Sequence, residues 1–84
     1  MVQHFLTFEI GKDGQELFVH GDEQGLRLLA KIASKLADHA AVGKKEHTHL
    51  MTEEWSGHEL SSEKVGSEEE LLNLVTIHAW PKKP

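Results

Sequence analysis

The sequence predicts an α+β fold: a small antiparallel sheet in β-β-α-β-β-β order with one long helix packed on one face. Three observations carry that expectation. Apolar residues recur at helical spacing from Asp22 to Ala41. Two short alternating runs precede them, joined by a turn containing two glycines, and a strongly alternating run, Leu74 to Trp80, closes the chain. Strands that flank a single helix, rather than alternating with several, favour a sheet with the helix on one side.

Gln3 to Ile10 reads as the first strand, with Leu6, Phe8 and Ile10 on one face and Phe5, Thr7 and Glu9 on the other. Gly11-Lys12-Asp13-Gly14 supplies a turn, and Glu16 to His20 returns as a second strand to complete a hairpin. In the helix, Leu26, Leu29, Ala30, Ala33, Leu36, Ala37 and Ala40 form a stripe at i, i+3, i+4, i+7, i+10, i+11 and i+14. Asp22 is the expected N-cap, and Gly43 the residue free to take the left-handed conformation that stops the helix. At about 100° per residue, Leu28 points away from Leu26 and Ile32 widens the stripe, so these two are expected to meet either a loop of the same chain or a second subunit in a homodimer.

His47 to Met51 is the third strand. Thr52 to Leu60 reads as a turn followed by a short fourth strand, and 61–70 as a polar loop in which Ser67-x-x-Glu70 has the form of a capping box. Leu74 to Trp80 is the last strand, stopped by Pro81. Residues 1–80 are expected to form a single domain and 81–84 a flexible tail.

The helix is expected to cover Leu6, Phe8, Ile10, Leu17, Val19, Leu50, Val75 and Ile77. The other sheet face then collects Phe5, Phe18, His20, His47, His49, Met51, His78 and Trp80. Apolar and aromatic side chains with histidine, rimmed by polar groups, suit a protein interface, the alternative being a sheet curled so that the Thr52 to Glu70 segment covers this face. Phe18, His20, His47, His49, Met51, His78 and Trp80, with the neighbouring Glu53, Glu54 and Trp55, are therefore the expected partner-binding residues.

Composition narrows the partner. The chain has 84 residues, no cysteine and a formal net charge of −5, from 14 acidic and 9 basic residues. Disulfides and thiolate metal sites are excluded, and a cytoplasmic home is expected. No apolar run is long enough to cross a membrane, and no basic-then-apolar leader opens the chain. The acidic balance disfavours nucleic acid and suits a basic protein partner. Against it stands a basic ridge, Arg27, Lys31 and Lys35, with Lys44 and Lys45 beyond the helix end. This ridge, or the N-terminal hairpin, defines the alternative, a small dimeric DNA-binding regulator.

No catalytic signature is present. There is no G-x-S-x-G or phosphate-cradling glycine pattern, and Glu53 and Glu54, as neighbours, are not set up to cooperate. His47-x-His49 with His78 or His20 has the nitrogens for a zinc site, but no carboxylate is placed beside them. No catalytic residue, metal or cofactor is expected.

The segment His49-Leu50-Met51-Thr52-Glu53-Glu54-Trp55-Ser56-Gly57-His58-Glu59-Leu60 resembles immunity-protein family 32 of bacterial polymorphic toxin systems. Leu17-Phe18-Val19-His20-Gly21-Asp22, Gly25-Leu26 and Val75-Thr76-Ile77-His78-Ala79-Trp80 extend the resemblance over nearly the whole chain. The resemblance implies a small α+β protein that neutralises a partner toxin by binding it, and it transfers no active-site residue.

Overall fold

The structure, a computed structural model, describes residues 3–82. Of the expected tail, Lys83 and Pro84 lie outside the described residues. The element order is β1 (Leu6–Ile10), β2 (Leu17–Gly21), α1 (Glu23–Ala41), β3 (Glu46–Met51), a 3-10 turn (Glu53–Trp55), β4 (Glu70–Leu71) and β5 (Leu74–Ala79). One helix and antiparallel strands in β-β-α-β-β-β order are what the sequence predicts.

The sheet comes in two pieces. β2-β1-β4 form one and β3-β5 the other, all paired antiparallel. Residues 70–79 run past both, pairing first with β1 as β4 and then with β3 as β5. Main-chain hydrogen bonds join the pieces: Leu72 N–H to Phe8 O at 2.9 Å, Thr52 N–H to Asn73 O at 3.1 Å, Leu60 N–H to Met51 O at 3.1 Å, and Ser61 N–H to Leu6 O at 2.8 Å. Where they meet, Leu6, Phe8, Leu50 and Leu60 form the buried core, with Leu29, Ile32, Leu72, Val75 and Ile77 packed against it. Each fully buried leucine contributes about 2 kcal/mol by leaving water.

The helix is capped as expected. Asp22 Oδ1 accepts from Gly25 N–H at 2.7 Å, and Gly43 has φ +82°. Amide bonds from Gly25 and Phe5 hold the Asp22 carboxyl below its ordinary range.

The helix is rolled away from the predicted stripe. Gly25 and Leu36 are buried, with Leu28, Leu29, Ile32, His39 and Ala40 half-buried, whereas Leu26, Ala30, Ala33 and Ala37 are exposed. The cause lies in the first turn. Asp22 N–H donates to Phe5 O at 3.0 Å, and Gly25 lies so close to that carbonyl that a Cβ would collide with it. The glycine side of the helix therefore faces β1, and Leu28 and Ile32 face the sheet with it. Ile32 packs on the core, not on the far side where the sequence put Leu28 and Ile32 for a dimer partner.

Three further expectations are corrected. Leu17 and Val19 are exposed, because β2 is an edge strand that the helix touches only in part. The fourth strand is Glu70–Leu71, not a stretch within Thr52 to Leu60, which holds a 3-10 turn and a single bridge, Thr52 to Leu60. Ser67-x-x-Glu70 forms no helical turn but bends into β4.

Replacing Gly25 by alanine separates the two ways of reading α1. Helix propensity alone predicts a gain of about 1 kcal/mol. Collision with the Phe5 carbonyl predicts a loss of about 2 kcal/mol. Chemical denaturation of Gly25→Ala should show the loss, and a stabilised variant would mean that the helix seats on another face.

Candidate functional site

The face of the sheet opposite the helix is divided, and a carboxylate divides it. Thr7 and Glu9 point there from β1, and both are fully buried. Glu9 Oε2 accepts from the Thr7 hydroxyl at 2.8 Å and from Val65 N–H at 2.9 Å, while Oε1 accepts from Gly66 N–H at 2.9 Å. Burial pushes the Glu9 carboxyl up, but these three bonds together with nearby His20 outweigh it and leave the group below its ordinary value of 4.5. The loop of residues 61–69 is thus fastened over β1. A Cβ at Gly66 would meet only the Glu69 carboxylate, the movable end of a flexible side chain.

Phe18 and His20, across from Glu9 and Thr7 in the β1–β2 register, are half-buried on this covered half. Their rings stack at 6.2 Å, and His20 Nε2 is buried with no hydrogen-bond partner among the described residues. The sequence grouped them with the histidines of β3 and β5. The structure separates the two sets, because the Glu9-bound loop lies over one half of the face and leaves the other open.

The open half is the β3–β5 ribbon. His47 pairs with His78 and His49 with Thr76 across the two strands. The His47 ring lies 5.1 Å from that of His49 and 5.3 Å from that of His78, with the Trp80 ring 6.4 Å beyond His78. His49 Nδ1 is 2.9 Å from Thr76 Oγ1, and Lys45 Nζ sits 4.2 Å above the centre of the Trp80 ring. All four aromatic side chains are exposed, and Met51 is half-buried at the end of the same row. Among the described residues no three His, Cys, Asp or Glu side chains are grouped so that they could hold a metal ion.

β3 runs directly into a pinned knuckle, Thr52 to Leu60. Thr52 is buried; its hydroxyl donates to Asn73 Oδ1 at 2.7 Å and its carbonyl accepts from Trp55 N–H and Gly57 N–H, each at 2.9 Å. Ser56 turns the chain with φ +69°, and Gly57 packs against the Met51 main chain, where a Cβ would collide with the Met51 carbonyl. Glu59 Oε1 accepts from Met51 N–H at 3.1 Å, and Leu60 returns to the core. In the segment His49 to Leu60, then, Leu50, Thr52, Gly57, Glu59 and Leu60 build the support. Glu53, Glu54 and Trp55 are what it presents, all three exposed. Sequence reasoning found the presented residues and missed their anchors, whose role depends on contacts with Asn73 and Met51.

The basic ridge is exposed along α1, but Arg27 is paired with Glu23 at 3.0 Å and Lys45 is engaged with Trp80. No helix among the described residues is long and apolar enough to cross a membrane.

Fold and surface together define a small α+β protein with one half of its sheet closed and the other presenting imidazole and indole groups beside an acidic knuckle. Residues 16–79 match the family Immunity protein 32, and the chain belongs to that family. An immunity-protein role follows in general terms from that membership. No curated protein and no solved structure matches the chain.

The Glu9 clasp carries a pH dependence whose sign is determined. The folded pKa lies below the unfolded one, so the clasp stabilises fully above the ordinary carboxylate range and is lost as pH falls through the folded value. Glu9→Gln should cost about 2 kcal/mol near neutrality. The gap between variant and wild type should narrow as denaturant midpoints are taken from pH about 6 down to about 3. A gap that is constant over this range would mean that the carboxylate charge does not hold the loop.

Proposed function

We propose that this chain neutralises a toxin by binding it directly, through the open β3–β5 face and the adjoining knuckle. One observation carries the reading: both tryptophans of the chain are at the surface, Trp55 with 52% and Trp80 with 41% of its area exposed. Tryptophan is costly to leave in water, and at interfaces it is among the residues that dominate affinity. Each is held by a rigid support, Trp55 on the pinned 3-10 turn and Trp80 at the end of β5 beneath Lys45. Pre-ordered anchors lose little entropy on binding. His47, His49 and His78 extend the surface with adaptable donors and acceptors, and Met51 adds a pliable apolar contact.

Glu53, Glu54 and the net charge of −5 fit a toxin with a basic surface, whose approach they would speed. The family supports an immunity role in general, and this surface supports direct binding as its means. Neutralisation would then come from covering the toxin, without chemistry by the immunity protein, in the cytoplasm where the two meet.

Calorimetry with a toxin domain that binds the chain tests this. Trp55→Ala and Trp80→Ala should each weaken binding by roughly tenfold or more, about 1.4 kcal/mol, with an unchanged melting temperature. Wild-type affinity in both variants would move the interface elsewhere.

A further inference from the structure

β5 ends the sheet at an open edge. β3 is its sole strand neighbour among the described residues. The direction of its free main-chain groups follows from Met51. The Met51 N–H is taken by Glu59 Oε1 and its carbonyl by Leu60 N–H, so Met51 faces away from β5. Antiparallel strands alternate, so Leu50, Thr48 and Glu46 face β5 and bond to Val75, Ile77 and Ala79. The N–H and C=O groups of Leu74, Thr76 and His78 consequently point outward along the open edge.

This edge lacks the usual defences. Proteins blunt open edges with lysine, proline, bulges or inward charges. Leu71 to Pro81 is the longest run in the chain without Asp, Glu, Lys or Arg, and its one proline lies beyond β5. β3, by contrast, begins with Glu46 after Lys44 and Lys45, and β2 is reached through Lys12, Asp13 and Glu16.

We propose that β5 pairs antiparallel with β5 of a second copy of this chain, joining two β3–β5 ribbons into one four-stranded sheet. Charge argues for a second copy as the occupant. A protein of net charge −5 repels itself, and this uncharged edge is where two copies can meet without opposing like charges. The register is self-complementary. With Thr76 opposite Thr76 of the second copy, Leu74 stands opposite His78, and each of these pairs can exchange two hydrogen bonds. Between them Val75 falls opposite Ile77 on the helix side, an apolar β-branched pair at the closer, non-hydrogen-bonded spacing.

The helix supports the same seam. Lys35 and His39 line a gap beside Glu46, His47 and Thr48 of β3. At about 100° per residue, the exposed Ala33 and Ala37 lie on the opposite flank of α1, away from β3, on the side where Leu26 lies against Gly21 of β2. A second ribbon across the β5 edge would bring its own helix alongside that flank, where small side chains permit close approach. The face carrying His47, His49, His78 and Trp80 stays open in the pair, so the inference is independent of toxin binding.

Sedimentation of the full chain up to the hundred-micromolar range should give twice the chain mass of 9.4 kDa. Hydrogen exchange should find the Leu74, Thr76 and His78 amides protected. Thr76→Pro removes an outward N–H and breaks no main-chain bond to β3, losing there only the hydroxyl contact with His49. Thr76→Lys sets two like charges opposite each other at the two-fold, on a side chain that is exposed. Both variants should sediment as monomers, and Thr76→Lys should keep the wild-type helical signal. A wild-type monomer, a dimer insensitive to Thr76→Lys, or amides protected only when the toxin is added would each overturn the proposal, the last by giving the edge to the toxin.

Discussion

Glu9 stands on the middle strand of its sheet piece with three hydrogen bonds converging on its carboxylate, and the arrangement of everything around it depends on that group. An ionised carboxylate is tolerated at zero exposure only when its oxygens are satisfied. Here the Thr7 hydroxyl and the amides of Val65 and Gly66 do so. Because two of the three donors belong to a loop more than fifty residues away in sequence, satisfying the charge also fixes where that loop lies. One half of the sheet is closed as a result. The β3–β5 half has no such cover, and its histidines and Trp80 remain in solvent.

That division links the core to the surface proposed for recognition. Leu6 and Phe8 point from β1 into the core while Thr7 and Glu9 point to the loop, so a single five-residue strand organises both sides of the sheet. Thr52 does the same at the junction with β5. Its buried hydroxyl and main-chain groups hold the turn on which Trp55 is displayed. The presented residues are thus few and exposed, and the residues that hold them are buried and polar. Such polar supports are sensitive to loss of a partner, because an orphaned buried donor or acceptor costs the full desolvation of that group.

Much of this was legible in the sequence. Asp22 and Gly43 marked the helix ends through capping chemistry, which is local and so can be read locally. Alternation in His47 to Met51 and Leu74 to Trp80 sorted Leu50, Val75 and Ile77 from His47, His49 and His78, because a two-residue period fixes the face whatever the strand pairs with. The roll of the helix was not legible. Leu26 and the alanines satisfy hydropathy on a face that the structure leaves exposed, and the deciding contact, Gly25 against the Phe5 carbonyl, joins residues whose meeting no periodicity reports. Glu9 was read as an ordinary outward residue of a strand for the same reason, since its donors lie in a loop with no pattern. The 3-10 turn replaced a fourth strand because Thr52 and Glu59 bond to the nearby main chain and bend it out of the ladder.

A divided face, closed over Glu9 and open over β3–β5, is the claim from which the functional reading descends. Residue-resolved cross-saturation NMR on the chain bound to its toxin tests it most directly, because it maps the contact without altering a residue. The account predicts saturation at His47, His49, Trp55, His78 and Trp80, with Val65 and Gly66 silent. Saturation centred on residues 61–69 or on the exposed flank of α1, with the β3–β5 face unaffected, would contradict it.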